Sequence, residues 1–311
     1  MKVVISARNF VFEGCRALEL LKDSGFEVCD VSDRAFNDED EYLREIIDAD
    51  AVINAFEPMS RSLLSRCEKL KLISVRGVGY DYIDAAACKE LGVDIARTVG
   101  TVGEAVSEQA VAYIMHFARQ IDRQNRDMQN GVWRRIMTDG VFGKSLGIVG
   151  FGEIGQALAK KADALGMRVS YNCTGEKVGV KYEFKELDEL LKSSDYVVLA
   201  LPLTAETKAL INKNALEIMK SDAVLINVAR SKIVDNTALK NAVQSGVIRG
   251  AAVDVFDSEP CTDSELSGCD NIILTPHTAP FTKNNFIAMN TLAVQNIINY
   301  FNGSIDKKYL V

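Results

Sequence analysis

The chain has 311 residues, of which 48% are hydrophobic and 25% charged, and its formal net charge at pH 7 is −7. This length favours two domains, because a single hydrophobic core rarely serves more than about 250–300 residues. The acidic balance and the lack of a run rich in lysine and arginine argue against nucleic acid as a partner. No apolar stretch has the length of a membrane span or the pattern of a signal peptide, so we expect a cytoplasmic protein that binds no membrane.

The seven cysteines indicate neither a disulfide framework nor a metal site. They are odd in number, scattered and free of CxxC pairs, whereas an oxidised framework needs paired cysteines in a small secreted domain. The chain has only two histidines, so ligands for a zinc ion are also scarce. We predict no structural metal.

Short apolar runs alternate with helical segments through the first part of the chain. The runs at 2–6, 26–31, 51–56, 70–75 and 92–96 have the composition of strands. Alternation of this kind is typical of a parallel sheet with helices on both faces.

A segment with unbroken helical spacing follows at 102–130, and Gly131 ends it. Strand-like runs then resume at 145 and continue to 277, and residues 284–301 are helical again. We therefore predict an α/β protein with two doubly wound parallel-sheet domains, Rossmann-like or flavodoxin-like. The substrate domain would comprise residues 1–98 plus 283–311, and the inserted nucleotide-binding domain residues 99–282.

The segment 150–155, Gly-Phe-Gly-Glu-Ile-Gly, has the spacing of a dinucleotide-binding loop. An apolar run precedes it and a helical segment ending at Gly166 follows it, which is the context that this motif requires. Gly150 permits a tight turn, Gly152 lets the backbone approach a pyrophosphate, and Gly155 lets the helix pack closely on the strand. The N–H groups at the start of the helix would face the anion.

The residue about twenty positions beyond this loop usually holds the ribose hydroxyls of NAD through a carboxylate. Here that position is Asn172, with Thr174 and Lys177 close behind it. A neutral amide can bond a hydroxyl but does not repel a 2′-phosphate, so the pattern favours NADP over NAD. The alternative, that Asn172 serves NAD in place of the carboxylate, stays open.

Three reactive side chains each follow a strand-like run downstream of the loop: Arg230, Glu259 and His277. In an open α/β sheet the carboxyl ends of the strands border the ligand crevice, so these groups can converge. Reduction of a 2-keto acid needs a cation for the carboxylate, an acid for the carbonyl oxygen, and a carboxylate beside that acid. Arginine, histidine and glutamate supply one of each.

Several segments, in this order, resemble the D-isomer-specific 2-hydroxyacid dehydrogenase family, and the resemblance extends over nearly the whole chain. They are SVRGVGYDYIDAAACKELGVDIA, GFGEIG, ALPLTAETKALIN, INVARSKIVD, AAVDVFDSEP and ILTPHTA. The resemblance implies hydride transfer between NAD(P)H and a small 2-keto acid to give the D-2-hydroxy acid. It also implies a homodimer built through the long helix and the segment around Trp133.

The resemblance assigns roles to individual residues. It makes Arg230, Glu259 and His277 the catalytic residues, and it places the substrate carboxylate on the N–H groups of the turn Gly77-Val78-Gly79. The residues near the cofactor are then Gly150, Gly152, Glu153, Ile154, Gly155, Asn172, Thr207, Ala229 and Asp254.

Three positions depart from the family pattern. Asn172 replaces the usual acidic residue, Ser231 stands where glycine is frequent, and Pro280-Phe281 occupies a place where small residues are usual. The first departure bears on the cofactor, and the last could reshape the wall of the substrate pocket.

Alternatives within and beyond this family can be weighed on single residues. Formate dehydrogenases pair their histidine with glutamine, so Glu259 favours keto-acid chemistry. A phosphoglycerate dehydrogenase is a second alternative, but Glu57 would repel a phosphate, while Phe56 and Met59 suit an apolar substituent. Some relatives are NAD(H)-sensing corepressors that retain the same three residues, so a regulatory binding protein is the alternative of another class. Which 2-hydroxy acid is the substrate does not follow from the sequence.

Overall fold

The computed structural model describes residues 1–311, which form two compact units. The first unit comprises Met1–Val102 and Phe281–Val311, and the second comprises Gly103–Pro280. Each unit contains one parallel sheet with helices packed on it. The predicted fold class, two doubly wound parallel α/β domains, is therefore confirmed.

The first unit begins with five parallel strands in the order β2-β1-β3-β4-β5. The strands are β1 (Lys2–Ile5), β2 (Glu27–Asp30), β3 (Ala51–Asn54), β4 (Leu72–Val75) and β5 (Asp94–Arg97), and the helices between them are α1 (Ala17–Asp23), α2 (Glu39–Ile46), α3 (Arg61–Leu64) and α4 (Ala85–Leu91). β3 and β4 are buried along their whole length, as expected for central parallel strands covered on both faces. Asp38 and Asp84 cap α2 and α4 through their side chains.

The second unit opens with two helices rather than one. α5 (Gly103–Arg119) and α6 (Ile121–Gln129) are separated by Gln120, whose φ of +47° lies in the left-handed region. The prediction of one unbroken helix over 102–130 is therefore wrong. α5 buries an apolar face, but α6 has no buried residue. Core packing therefore stabilises the first of the two helices and not the second.

The sheet of the second unit has seven parallel strands in the order β12-β11-β10-β9-β6-β7-β8. Its elements are β6 (Ser145–Val149), α7 (Glu153–Ala164), β7 (Arg168–Asn172), β8 (Glu183–Phe184), α8 (Leu187–Ser193), β9 (Tyr196–Leu199), α9 (Lys213–Glu217), β10 (Val224–Asn227), α10 (Asn236–Gln244), β11 (Gly250–Val253) and β12 (Ile272–Leu274). The strand order reverses between β6 and β9. The carboxyl ends of the strands beside such a reversal are the expected place for a ligand.

The chain then returns to the first unit as α11 (Lys283–Phe301). Thr282 caps this helix, and Ala293, Val294 and Ile297 pack into the same core as β1, β3 and β4. None of the helices in the structure combines the length and the apolar character that crossing a bilayer requires.

Candidate functional site

The glycine loop of the second unit joins β6 to α7. Gly150 has a φ of +94°, and a Cβ on it would lie 2.3 Å from the carbonyl oxygen of Ala200, so only glycine fits. A Cβ on Gly155 would lie 2.3 Å from the carbonyl oxygen of Gly150. These two glycines therefore set the tight turn and the close approach of α7 to the sheet.

Gly152 has a different environment from the other two glycines. A Cβ on it would meet no atom within 4 Å, and no side chain caps α7 at this residue. The backbone at Gly152 is therefore open to close approach, and the N-terminus of α7 that begins there suits the negative charge of a pyrophosphate. The residues present fit a dinucleotide at this point.

The side chain of Glu153 is turned towards another helix. Its Oε1 accepts a hydrogen bond of 2.9 Å from the backbone N–H of Gly103, the first residue of α5. A Cβ on Gly103 would lie 2.8 Å from the Glu153 side chain. Glu153 can thus contribute its backbone to an anion while its carboxylate satisfies the N-terminus of α5.

Asn172 is the last residue of β7, at the carboxyl end of the strand beside β6. Its Nδ2 donates to the carbonyl oxygen of Lys185 at 2.8 Å, which orients the amide. The loop beyond it is held by the backbone N–H of Lys177, which donates to the Tyr171 hydroxyl at 2.8 Å. Thr174 and Lys177 are exposed on this loop.

Two further residues assigned to the cofactor lie in the loops after β9 and β10. The hydroxyl of Thr207 donates to the carbonyl oxygen of Pro202 and accepts from the N–H of Thr204, so it braces its own loop. Ala229 is buried, and its N–H donates to the side chain of Asn227 at 3.0 Å. Both belong to loops that leave the carboxyl end of the sheet.

Arg230 follows β10 and precedes a single 3₁₀ turn at Ser231–Ile233. Its guanidinium NH1 donates to the carbonyl oxygen of Ala229 at 2.9 Å, and Asn227 donates to its backbone carbonyl at the same distance. Ser231 is buried, and its hydroxyl accepts from Nδ2 of Asn236 on α10 at 3.0 Å. The serine in place of the more usual glycine therefore ties this turn to the next helix.

Glu259 and His277 meet directly. Nδ1 of His277 lies 2.7 Å from Oε2 of Glu259, with the two side chains 23% and 28% exposed. Oε1 of Glu259 accepts from the backbone N–H of Phe256 at 2.9 Å. Burial raises the pKa of the Glu259 carboxyl, but the hydrogen bond and charge of His277, the Phe256 amide and the charge of Arg230 together hold that pKa below its usual range. The structure thus pairs Glu259 with His277 and places the charge of Arg230 within electrostatic reach of that pair.

The backbone of His277 is unusual for a residue with a side chain. Its φ of +51° is left-handed, and its N–H donates to the carbonyl oxygen of Thr275 at 2.9 Å. The buried carboxylate of Asp254, directly after β11, accepts from the N–H groups of Thr278 and Ala279 at 2.9 Å each. Asp254 therefore contacts the histidine segment itself.

The turn Gly77-Val78-Gly79 lies in the first unit, after β4. Gly77 has a φ of +151°, and its N–H donates to the Thr98 hydroxyl at 2.8 Å. Thr98 in turn donates its own N–H to the Gly77 carbonyl at 2.9 Å. Since the amide of Gly77 is occupied, the N–H groups of Val78 and Gly79 are the ones that remain for a ligand.

The two hydrophobic residues considered near a substrate substituent have opposite environments. Phe56 is 48% exposed, and its ring centroid lies 6.5 Å from that of Tyr82. Met59 is fully buried in the core beside β3 and β4, and its N–H donates to the Tyr82 carbonyl. The suggestion that Met59 suits a substituent is therefore wrong, because its side chain belongs to the core.

Sequence reasoning missed Arg76, which comes just before the Gly77 turn. Arg76 is only 6% exposed; its guanidinium lies 4.6 Å from the centroid of the Phe286 ring and donates to the carbonyl oxygen of Arg8 at 2.5 Å. Burial lowers the pKa of Arg76 to about 10, and the charge of Glu57 partly offsets this. It also missed Tyr113 of α5, whose hydroxyl contacts that of Thr275. Arg76 stands inside the SVRGVGY segment that carries the family resemblance, but its role was not drawn from that segment, and Tyr113 stands at an ordinary apolar position of a helix.

The second unit combines an open helix N-terminus after a glycine loop with a histidine–carboxylate pair at the same edge of a parallel sheet. Such a combination is typical of a pyridine-nucleotide oxidoreductase. A family model described as D-isomer specific 2-hydroxyacid dehydrogenase, NAD binding domain, matches residues 111–279.

The relatives and solved structures that resemble the chain cover nearly all of it. A glyoxylate reductase from Thermococcus onnurineus is 37% identical over 289 residues, which is 87% of this chain and 86% of the relative. A glyoxylate reductase from Pyrococcus horikoshii is 36% identical over 307 residues, 93% of this chain and 90% of the relative. The crystal structure of D-lactate dehydrogenase from Aquifex aeolicus, complexed with NAD and lactic acid, has a TM-score of 0.87 at 28% identity and covers 100% of this chain and 99% of that one.

The chain therefore belongs to the D-isomer-specific 2-hydroxyacid dehydrogenase family. It is an NAD(P)-dependent oxidoreductase that acts on a CH–OH group, and it carries out the NAD(P)H-linked reduction of a small 2-keto acid.

Proposed function

We propose that this protein reduces glyoxylate and hydroxypyruvate, with His277 as the general acid. Where the product is chiral, it is the D-isomer. The pair between Nδ1 of His277 and Oε2 of Glu259, at 2.7 Å, is the observation that carries this proposal. The similarity to glyoxylate reductases supports the substrate class. The domain roles fit the same proposal, with residues 1–98 plus 283–311 as the substrate domain and 99–282 as the NAD(P)-binding domain.

The geometry of this pair determines which ring nitrogen of His277 donates the proton to the substrate. Because Nδ1 bonds Glu259, Nε2 is the nitrogen that donates to the carbonyl oxygen of the keto acid. The carboxylate stabilises the imidazolium before transfer and fixes the ring orientation. When bound, the reduced nicotinamide supplies the hydride to the carbonyl carbon, and one proton from His277 completes the hydroxyl group.

Arg230 has the chemistry to hold the substrate. A guanidinium can bind a carboxylate and polarise the adjacent carbonyl through its planar fork. Its NH1 contact with the Ala229 carbonyl restrains one arm of that fork. We assign the remaining carboxylate contacts to the N–H groups of Val78 and Gly79, with Gly77 shaping the turn through its bond to Thr98.

NADPH is the proposed preferred cofactor. The amide of Asn172 carries no charge that would repel a 2′-phosphate, and its Nδ2 is already bonded to the Lys185 carbonyl. Thr174 and Lys177 are exposed on the following loop and offer a hydroxyl and an ammonium to such a phosphate. NADH is the competing cofactor, and the ratio of kcat/KM for NADPH to that for NADH distinguishes the two.

A homodimer is the proposed assembly, formed through α6 and the segment that follows it. Large apolar side chains are exposed along this part of the second unit: Ile121, Met128, Val132, Trp133, Met137 and Phe142. Trp133 is 76% and Met137 97% exposed, and a cluster of this kind marks a protein interface more often than a free surface. The expected cytoplasmic location also stays a prediction.

Oxidation of NADPH and NADH at 340 nm tests the function on a panel of glyoxylate, hydroxypyruvate, pyruvate and 2-ketoisocaproate. We expect turnover with glyoxylate and hydroxypyruvate, and a D-configured glycerate from the latter. A protein that binds the cofactor and turns over none of the panel would instead support the regulatory alternative, which the named relatives do not favour. The single tryptophan reports the dimer, because its emission should shift to the red as the protein is diluted.

A further inference from the structure

Asp254 carries a carboxylate that is almost completely buried and is held by uncharged donors. The residue is 1% exposed and follows β11 directly. Its hydrogen-bond donors are two backbone N–H groups and neighbouring hydroxyls. A buried carboxylate is costly unless such bonds compensate it. The residues that donate these bonds are therefore the ones that the carboxylate stabilises.

Those partners lie on both sides of His277. Oδ2 of Asp254 accepts from the N–H of Ala279 at 2.9 Å, and Oδ1 accepts from the N–H of Thr278 at the same distance. On the other side, the Thr275 hydroxyl donates to Oδ1 at 2.5 Å. One carboxylate therefore connects the residue two positions before the histidine with the two residues after it.

The segment needs this support because of its backbone. The φ of +51° at His277 is unfavourable for a residue with a Cβ and persists only where the surroundings determine it. Tyr113 of α5 adds a second restraint, since its hydroxyl contacts the Thr275 hydroxyl and lies 3.4 Å from Oδ1 of Asp254. These bonds hold the backbone from which the imidazole points towards Glu259.

We propose that Asp254 is a positioning residue for His277: its carboxylate folds residues 275–279 into the left-handed turn that aims Nδ1 at Glu259. This inference rests on the proposed role of His277 as the general acid. It differs from the cofactor contact that the family resemblance suggests, because it makes the histidine segment the primary partner of the carboxylate. Tyr113 of α5 and Thr275, directly after β12, complete the same support.

The first experiment measures the tautomer of the His277 imidazole and does not depend on catalytic activity. The chain has two histidines, so a His116→Gln background leaves His277 as the only imidazole for ¹⁵N NMR. In that background we expect a single tautomer with the proton on Nδ1, and Glu259→Gln should disturb it. Asp254→Asn places an amide NH₂ against a backbone N–H and loses at least one of the two backbone bonds. We expect it to shift the imidazole towards mixed tautomers as Glu259→Gln does.

The second experiment separates positioning from cofactor binding. We expect Asp254→Asn to lower kcat by about tenfold or more, because small misplacements of a reacting group are costly, while the dissociation constant for NADPH changes little. Asp222→Asn is the matched control, since Asp222 is exposed just before β10, at the opposite end of the sheet; it should behave as the parent. If Asp254→Asn fails to fold, Thr275→Val removes one donor and should shift the tautomer in the same direction.

An unchanged imidazole spectrum in Asp254→Asn, or a fall in activity explained entirely by weaker NADPH binding, would overturn the proposal. Failure of the wild-type protein to reduce any keto acid would instead contradict the proposed function and leave the tautomer result standing. The two failures are therefore distinguishable.

Discussion

Nδ1 of His277 and Oε2 of Glu259 lie 2.7 Å apart, and the other oxygen of the same carboxylate accepts the Phe256 amide. Both oxygens of Glu259 are thus used in its charged form. The pair links acid–base chemistry to stability, because the same contacts that orient the imidazole also lower the pKa of the carboxyl group.

Glu259→Gln should reduce kcat and flatten the acid side of the stability profile. A carboxyl group whose pKa is lower in the folded state contributes stability above its unfolded pKa, near 4.5, and loses it as the pH falls through the folded value. The wild type should therefore lose this contribution below about pH 4.5, and the variant should have none to lose. Urea unfolding between pH 3 and 7 measures it. Equal pH slopes for the two proteins would contradict the assignment.

His277→Ala should lower kcat by about 10²–10⁴-fold, the usual contribution of general acid–base catalysis. The dissociation constant for NADPH, measured by fluorescence, should stay close to that of the wild type because the glycine loop is untouched. His116→Gln on α5 is the control and should retain full turnover. Near-normal activity in His277→Ala would eliminate it as the general acid.

Arg230→Lys should chiefly affect substrate handling. An ammonium group cannot reproduce the planar fork, and a hydrogen bond to a charged group contributes about 1.5–3 kcal/mol. We expect kcat/KM for glyoxylate to fall by about 10- to 100-fold, with cofactor affinity retained. Steady-state kinetics at saturating NADPH checks this, and an unchanged kcat/KM would refute the role.

Asn172→Asp should move the cofactor preference from NADPH towards NADH. A carboxylate at the end of β7 repels a 2′-phosphate, and roughly 1.4 kcal/mol of repulsion changes the ratio by about tenfold. The comparison is kcat/KM for NADPH over that for NADH in both proteins. Asn214→Asp, exposed on α9, is the matched control. If Asn172→Asp leaves the ratio where it was, this position does not select the cofactor.

Gly155→Ala should destabilise the second unit and weaken cofactor binding together. The added Cβ would lie 2.3 Å from the Gly150 carbonyl oxygen, so α7 has to shift, at a cost of about 1–3 kcal/mol. Gly140→Ala is the control, because a Cβ there meets nothing within 4 Å. Thermal unfolding and NADPH titration of both variants provide the measurement. Equal stability of the two variants would show that α7 tolerates the group.

The sheet architecture and the convergence of Arg230, Glu259 and His277 were predictable because both depend on chain order. Apolar runs that alternate with helical segments favour a parallel sheet, and residues after such strands share one edge. The break at Gln120 was not predictable, since the apolar spacing continues past it to Ile121 while the buried surface ends. Periodicity reports spacing and says nothing of what covers the face.

Contacts made by backbone atoms were also beyond sequence reasoning. The occupied amide of Gly77, the turned carboxylate of Glu153 and the bonds around Asp254 all depend on which N–H lies opposite which oxygen. Met59 illustrates the same limit for an apolar residue. Its sequence neighbours Phe56 and Glu57 reach solvent, but its own side chain is turned into the core.

The bond between Glu153 and the Gly103 amide limits how this protein can be re-engineered. A designer who exchanges the glycine loop for one from another dehydrogenase, with a different residue at 153, removes the acceptor at the start of α5. A side chain at Gly103 would clash with the Glu153 side chain as it stands, so the two positions have to be chosen together. The smallest transplantable module therefore consists of two segments fifty residues apart in the chain, the loop and the first turn of α5, and a library that varies the loop alone loses the acceptor for the Gly103 amide.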